Sequence, residues 1–138
     1  DVLIRGMKIS GILCEAKGRR MYVGIGLNCN QPLFPDFGAT VPTSLILETG
    51  KSHLPLNLLP NALAFLQTAI GEKEAGERLY EKLAMKNELT TVLIGPGDKQ
   101  ESFLGLVNGI GPAGQLIVTE QTTGVEKEIY SGELVTFR

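Results

Sequence analysis

Lys8 stands alone as a charge in an apolar run, and further on the sequence reads Gly24-Ile25-Gly26-Leu27-Asn28-Cys29-Asn30. A lysine ammonium is a compact donor that suits a carboxylate or phosphate oxygen. Glycines at period two strip one face of a strand of side chains, so a flat ligand can lie against the backbone. Asn28 donates and accepts from one carboxamide, which matches the edge of adenine, a ureido group or a phosphate. Each residue also has a bland explanation: a solvated lysine, a bulge or close packing at the glycines, a turn residue closing the strand. Asn30 suits that last role better than Asn28 does. The series is not the Gly-x-Gly-x-x-Gly dinucleotide fingerprint, which must open a helix.

The elements that would position these residues follow from the local pattern. Val2 to Ile4 reads as a short strand broken at Arg5-Gly6, with Lys8 to Glu15 and Arg20 to Cys29 as the arms of a hairpin. Its turn is either Lys17-Gly18 or the three residues Ala16-Lys17-Gly18, and the two options place opposite faces together. The three-residue turn is preferred, because it puts Ile9 and Leu13 with Val23, Ile25 and Leu27 on one apolar face. The other face is then a shelf carrying Lys8, Ser10 and Ile12 beside Tyr22, Gly24, Gly26, Asn28 and Asn30.

Gln31 to Pro42, with three prolines and a glycine, reads as a loop whose apolar tips are Phe34 and Phe37, placed to cover a pocket. A short helical turn is expected over Thr43 to Glu48 behind a threonine or serine cap. Leu56 to Ile70 and Glu72 to Met85 read as helices split at Gly71, with Pro60 tolerable only near a first turn. Beyond Lys86 the pattern shifts to five short strands, at Thr91 to Ile94, Ser102 to Val107, Gln115 to Thr119, Glu126 to Tyr130 and Glu133 to Phe137. So many strands in a short span suggest a small closed barrel. The expected division is 1–87 and 88–138.

The chain has 138 residues, 43% hydrophobic and 20% charged, enough to bury a core. A net charge of -2 argues against a nucleic-acid or anionic-membrane partner, each of which calls for a basic stripe. Only Cys14 and Cys29 occur, so neither a disulfide framework nor a four-cysteine zinc site is indicated, and a reducing cytoplasm fits. Both cysteines are expected as small core residues. His53, the one histidine, lies in a polar loop with no partners for a triad or metal site. There is no apolar run of about 18 residues and no signal segment. A chain opening on Asp1 is expected to be an excerpt or processed product of something longer.

The motifs together resemble the biotin protein ligases, which join biotin to a carrier lysine through biotinyl-adenylate. "DVLIRGMKISGILCE" resembles the family's Asn-Asp, strand, linker and Lys-hydrophobic-small-Gly-Ile-Leu-x-Glu run. "VGIGLNCNQ" is similar to its Val-Gly-Ile-Gly-Ile-Asn-Val-Asn, "ATVPTSL" to its Ala-Thr-Ser-Leu, and "GLVNGIGPAGQLIV" with "IYSGELVTFR" to its terminal barrel. The turn at Gly111-Pro112 departs from the acidic residue usual there. The family's Gly-Arg-Gly-Arg nucleotide loop and Lys-Trp-Pro-Asn residues would precede Asp1.

The resemblance implies an α/β (α+β) fold, part of a class II synthetase-like catalytic domain, followed by an SH3-like barrel. It also implies a ligase using ATP, Mg2+ held mainly by phosphates, and biotin as substrate. The partners would be the biotin carboxyl carrier domain of acetyl-CoA carboxylase and an N-terminal half of the ligase. By position, Lys8 matches the lysine on the biotin carboxylate and activated phosphate, and Asp1 the acid of the upstream motif. Gly11 and Ile12 match the strand lining the biotin pocket, Gly24 and Gly26 the bare wall opposite, and Asn28 an adenylate contact. No residue is expected to bind metal directly. The alternatives are a non-catalytic binding module derived from a ligase, and a lipoate or octanoyl transferase relative.

Overall fold

In a computed structural model the chain forms two compact units, Asp1–Thr68 and Ala69–Arg138. That division falls ahead of the expected boundary at 87/88. The described residues are 1–35, 40–70, 72, 75–95 and 100–135. Phe37, Gly71 and Phe137, all named above, lie outside them.

The first unit opens with an antiparallel sheet in the order β1-β2-β3: β1 (Val2–Ile4), β2 (Met7–Lys17) and β3 (Arg20–Leu27). Arg5 and Gly6 both adopt positive φ between β1 and β2, as a tight two-residue hairpin turn of the primed type requires. The second hairpin turns on Gly18-Arg19, flanked by the pair Lys17↔Arg20, with φ +62 at Gly18.

That turn lies further along the chain than expected, and the preferred register is overturned. Gly11 faces Gly26, Leu13 faces Gly24 and Ile12 faces Ile25. Gly11 and Leu13 therefore share a face with the glycines of β3, whereas Ile12 goes with Val23, Ile25 and Leu27. The expectation had assumed that one face of the hairpin is buried and sets the register. Here Leu13 on one face and Met21, Val23 and Ile25 on the other are all exposed, so burial within this chain exerts no such selection.

Burial gathers instead where β2 begins. Ile9 and Ser10 are both buried, and β2 carries an irregularity there: Val2 pairs with Ser10 but Leu3 with Lys8, leaving Ile9 without a partner on β1. Such a bulge bends the strand and re-aims its side chains. Lys8 also bridges the segment after the proline-rich loop, donating its N–H to Val41 and accepting from the Thr43 N–H.

Helix α1 (Leu45–Thr49) starts at Ser44, whose Oγ accepts from the Leu47 N–H and donates to the Gln31 carbonyl. It stops at Gly50, left-handed at φ +69, whose N–H closes on Ile46. Helix α2 (Pro55–Ala69) contains Pro60 beyond its first turn and leaves Leu56, Leu59, Leu63 and Phe65 exposed.

In the second unit, α3 (Ala75–Glu81), shorter than the expected Glu72 to Met85 helix, packs on β5. The strands are β4 (Leu89–Ile94), β5 (Glu101–Ile110), β6 (Leu116–Glu120), β7 (Glu126–Ile129) and β8 (Glu133–Val135). They form an antiparallel sheet in the order β7-β6-β5-β4-β8. This arrangement is consistent with an SH3-like barrel, although among the described residues no ladder joins β7 to β8 and the sheet is open. Its core is Val92, Val107 and Val118, all fully buried on adjacent strands. Gly105 lies beneath Val118, whose side chain occupies the space a Cβ would need. Gly105→Ala is therefore expected to destabilise this unit by about 1–3 kcal/mol through overpacking. A lower urea midpoint at unchanged slope is the measurement.

Candidate functional site

Three glycines on the hairpin's strands form the floor of an open depression of about 450 Å3 on the first unit. Gly11 lies directly across from Gly26, Gly24 is next along β3, Leu13 stands at one end and Asp1 at the other. Ile12 and Ile25 border the depression from between the glycines, although their strand positions belong to the opposite face.

Among the described residues nothing explains why Gly24 and Gly26 are bare. A Cβ on Gly26 would meet none of their atoms within 4 Å, and one on Gly24 would touch only the Leu13 carbonyl at 3.9 Å. Neither has a positive φ that would favour glycine. Gly11 differs: a Cβ there would come within 3.6 Å of Asp1 Oδ1 and 3.9 Å of Lys8 Nζ.

That second distance locates the ammonium. By simple alternation Lys8 belongs on the face opposite Gly11, but the bulge at Ile9 returns its side chain to the glycine side. The expected shelf therefore exists with different membership. Ser10 leaves it and is buried, Ile12 turns to the other face, and Gly11 and Leu13 take their places. Lys8 Nζ lies 2.8 Å from Asp1 Oδ2, with the two side chains 39% and 48% exposed. Such an exposed pair contributes little to stability. Its importance is that it holds an ammonium and a carboxylate together at the rim.

Asn28 sits where β3 leaves the sheet. Its N–H donates to the Ile9 carbonyl and its Nδ2 to the Thr43 carbonyl at 3.0 Å, and among the described residues its side-chain oxygen has no donor. Asn30 is fully engaged in the loop role foreseen for it: Nδ2 donates to the His53 carbonyl, while Oδ1 accepts from the His53 N–H and from Ser52 Oγ. Cys29 is buried as expected, but Cys14 is exposed, because it belongs to the uncovered face with Val23. His53 contacts Thr49 Oγ1 at 2.9 Å through Nε2. Among the described residues no cluster of three His, Cys, Asp or Glu could hold a metal, and no helix is long and apolar enough to cross a membrane.

Sequence reasoning missed Thr43 and Glu48. Thr43 is buried, and its Oγ1 donates to Glu48 Oε1 at 2.6 Å, while Arg5 Nη2 donates to Glu48 Oε2. Thr43 and Glu48 are only five residues apart, but the Arg5 contact reaches across 43, so no local pattern announces the set.

Comparison with solved structures supplies the remaining observation. A biotin protein ligase from Aquifex aeolicus in complex with biotin and ATP matches at a TM-score of 0.75 with 27% identity, over 97% of this chain and 57% of that one. The apo structure of that ligase matches at 0.77 with 26% identity, over 97% of this chain and 60% of the other. What the chain resembles is a biotin protein ligase. It spans 57 to 60% of the length of those ligase structures and is consistent with their C-terminal part. No family model matches the chain, and no curated protein does.

Glu48 generates a prediction of its own. The Arg5 hydrogen bond first, then that of Thr43, holds its carboxyl below the ordinary 4.5, against an opposing push from burial. The unfolded chain therefore takes up the proton more readily. The stabilisation is complete above about pH 4.5 and is lost as pH falls through the lower folded value. Thermal melts between roughly pH 3 and 6 should show a smaller acid-induced drop in Glu48→Gln than in the parent. Glu120, held down by Thr123 and then Lys127, keeps its acid sensitivity in both proteins.

Proposed function

We propose that the chain is the biotin-binding part of an ATP-dependent biotin protein ligase, which forms biotinyl-5′-AMP and transfers biotin to a lysine of the biotin carboxyl carrier domain of acetyl-CoA carboxylase. The observation that carries this reading is the glycine floor with an ammonium at its rim: Gly24 and Gly26 have open space above them that none of the described residues uses. The likeness to ligases solved with biotin and ATP supports the choice of ligand.

In this reading the planar ureido ring of biotin lies against Gly11, Gly24 and Gly26, with Ile12 and Leu13 bordering it, and the carboxylate points to Lys8. A carboxylate oxygen attacks the α-phosphorus of ATP and pyrophosphate leaves. The carrier lysine's amine then attacks the acyl carbon, and AMP leaves with the bonding electrons. No enzyme nucleophile takes part. Lys8 offsets the negative charge gathering between carboxylate and phosphate, an electrostatic role for a donor already in place. Asp1 keeps the ammonium oriented until the ligand arrives, and Asn28 offers its side-chain oxygen to the adenylate. Mg2+, held mainly by phosphate oxygens, would neutralise charge on the triphosphate. An N-terminal half would supply the remaining phosphate contacts, and the cytoplasm, where thiols stay reduced, is the compartment proposed.

Gly26→Val should leave the melting temperature nearly unchanged, within about 0.5 kcal/mol of stability, because the added methyls enter free space. It should nonetheless abolish biotin binding by the complete polypeptide in calorimetry; normal binding would remove the floor from the site. Lys8→Ala should lower adenylate formation by on the order of a hundredfold or more, measured by pyrophosphate release. The chain by itself, given biotin, Mg-ATP and a carrier domain, should form no detectable biotinyl-adenylate. The contacts it lacks are charge-assisted, each worth roughly 1.5–3 kcal/mol. Robust biotinylation by the isolated chain would refute the need for an N-terminal half.

A further inference from the structure

The start of β2 is gripped by a set of polar contacts that the ligand reading leaves unused. Lys8 donates its N–H to Val41 at 2.9 Å and accepts from the Thr43 N–H at 2.8 Å, so Thr43 fixes the backbone from which the lysine extends. Thr43 hydroxyl is tied to one oxygen of Glu48, and Arg5, in the turn just before β2, to the other. One carboxylate therefore grips the backbone of Lys8 from two directions, through its lateral neighbour and through the turn upstream.

Glu48 is poorly explained as a surface residue. Its side chain is only 8% exposed although it sits on a five-residue helix, and its Arg5 partner is 71% exposed. A carboxylate withdrawn from water needs full hydrogen bonding, and both oxygens have it. It is not among the residues lining the depression. Lysine, in turn, needs a fixed origin: four methylenes separate its ammonium from the backbone, and at 39% exposure little packing restrains them. A displaced origin would carry the charge away from the glycine floor.

We propose that Glu48 is a positioning residue for Lys8, acting through Thr43 and Arg5 to fix the bulged backbone that presents the ammonium over Gly11. The proposal rests on the reading of Lys8 as the charge-stabilising donor, and its test separates the two. Glu48→Gln keeps an acceptor for Thr43 but loses the charge that holds Arg5; Glu48→Leu loses both. Arg5→Gln, at an exposed position, guards against a variant that merely fails to fold.

Amide hydrogen exchange in the chain reads the grip directly. The Lys8 and Thr43 N–H groups should exchange about tenfold faster or more in Glu48→Leu and Arg5→Gln, while amides of β3 hold their rates. In the complete polypeptide, either variant should lower kcat for adenylate formation by roughly ten- to a hundredfold, the scale of an ångström-sized misplacement, with KM for biotin little changed. In a Lys8→Ala background the same variants should cost almost nothing further, because a residue acting through Lys8 has nothing left to position. Equal losses in both backgrounds would overturn the proposal, as would unchanged exchange at Lys8 and Thr43. If the unmutated complete polypeptide makes no adenylate, the functional reading falls, and the exchange result still decides whether Glu48 positions Lys8.

Discussion

Thr43 has an N–H, a carbonyl and a hydroxyl, and each is committed to a different element. The N–H goes to Lys8 at the head of β2, the carbonyl accepts from Asn28 at the end of β3, and the hydroxyl donates to Glu48 on α1. The residue is almost wholly buried, so leaving any of the three unpaired would incur a desolvation penalty of about 1–3 kcal/mol. Their joint satisfaction fixes where the hairpin, the loop return and the helix meet. The glycine floor, the ammonium and the Asn28 carboxamide all inherit their positions from that junction.

The contrast between the two ends of the hairpin follows from the same junction. Near Lys8 the sheet is buried and braced on both sides, while toward Gly18 it is exposed on both faces. Apolar side chains such as Ile12, Val23 and Ile25 are ordinary strand formers, yet within this chain nothing lies over them. The second unit reaches its stability differently, from three valines at the centre of an antiparallel sheet and from strands joined by short turns. Its Gln115 is buried by folding back on its own turn, where Oε1 accepts from the Ala113 N–H.

Much of this was legible in the sequence. The hairpin, the capped helix, the five late strands and the placing of Gly24 and Gly26 on one face of a strand all follow from alternation, capping chemistry and turn residues. The register did not, because choosing between turns requires knowing which face is buried, and this hairpin buries neither along most of its length. Lys8 reached the glycine side for a reason absent from the prediction: a bulge at Ile9, set by pairing with β1 and invisible to a two-residue period. Thr43 and Glu48 were missed because their value lies in contacts between segments far apart in sequence. The fate of Cys14 was misread for the simpler reason that an apolar strand was assumed to be covered.

The bulge at Ile9 also makes the site sensitive to residue count in a way that no single side chain is. A strand alternates its faces strictly, so one unmatched residue acts as a phase shift: everything upstream of Ile9 is turned over relative to everything downstream. Adding one residue to β1 opposite Ile9 would absorb the bulge and leave the lysine and the glycines untouched, yet strict alternation would then present the ammonium to the far side of the sheet. Among homologous chains, a lysine three residues before the first glycine should therefore come with the bulge, and a lysine two residues before it without one.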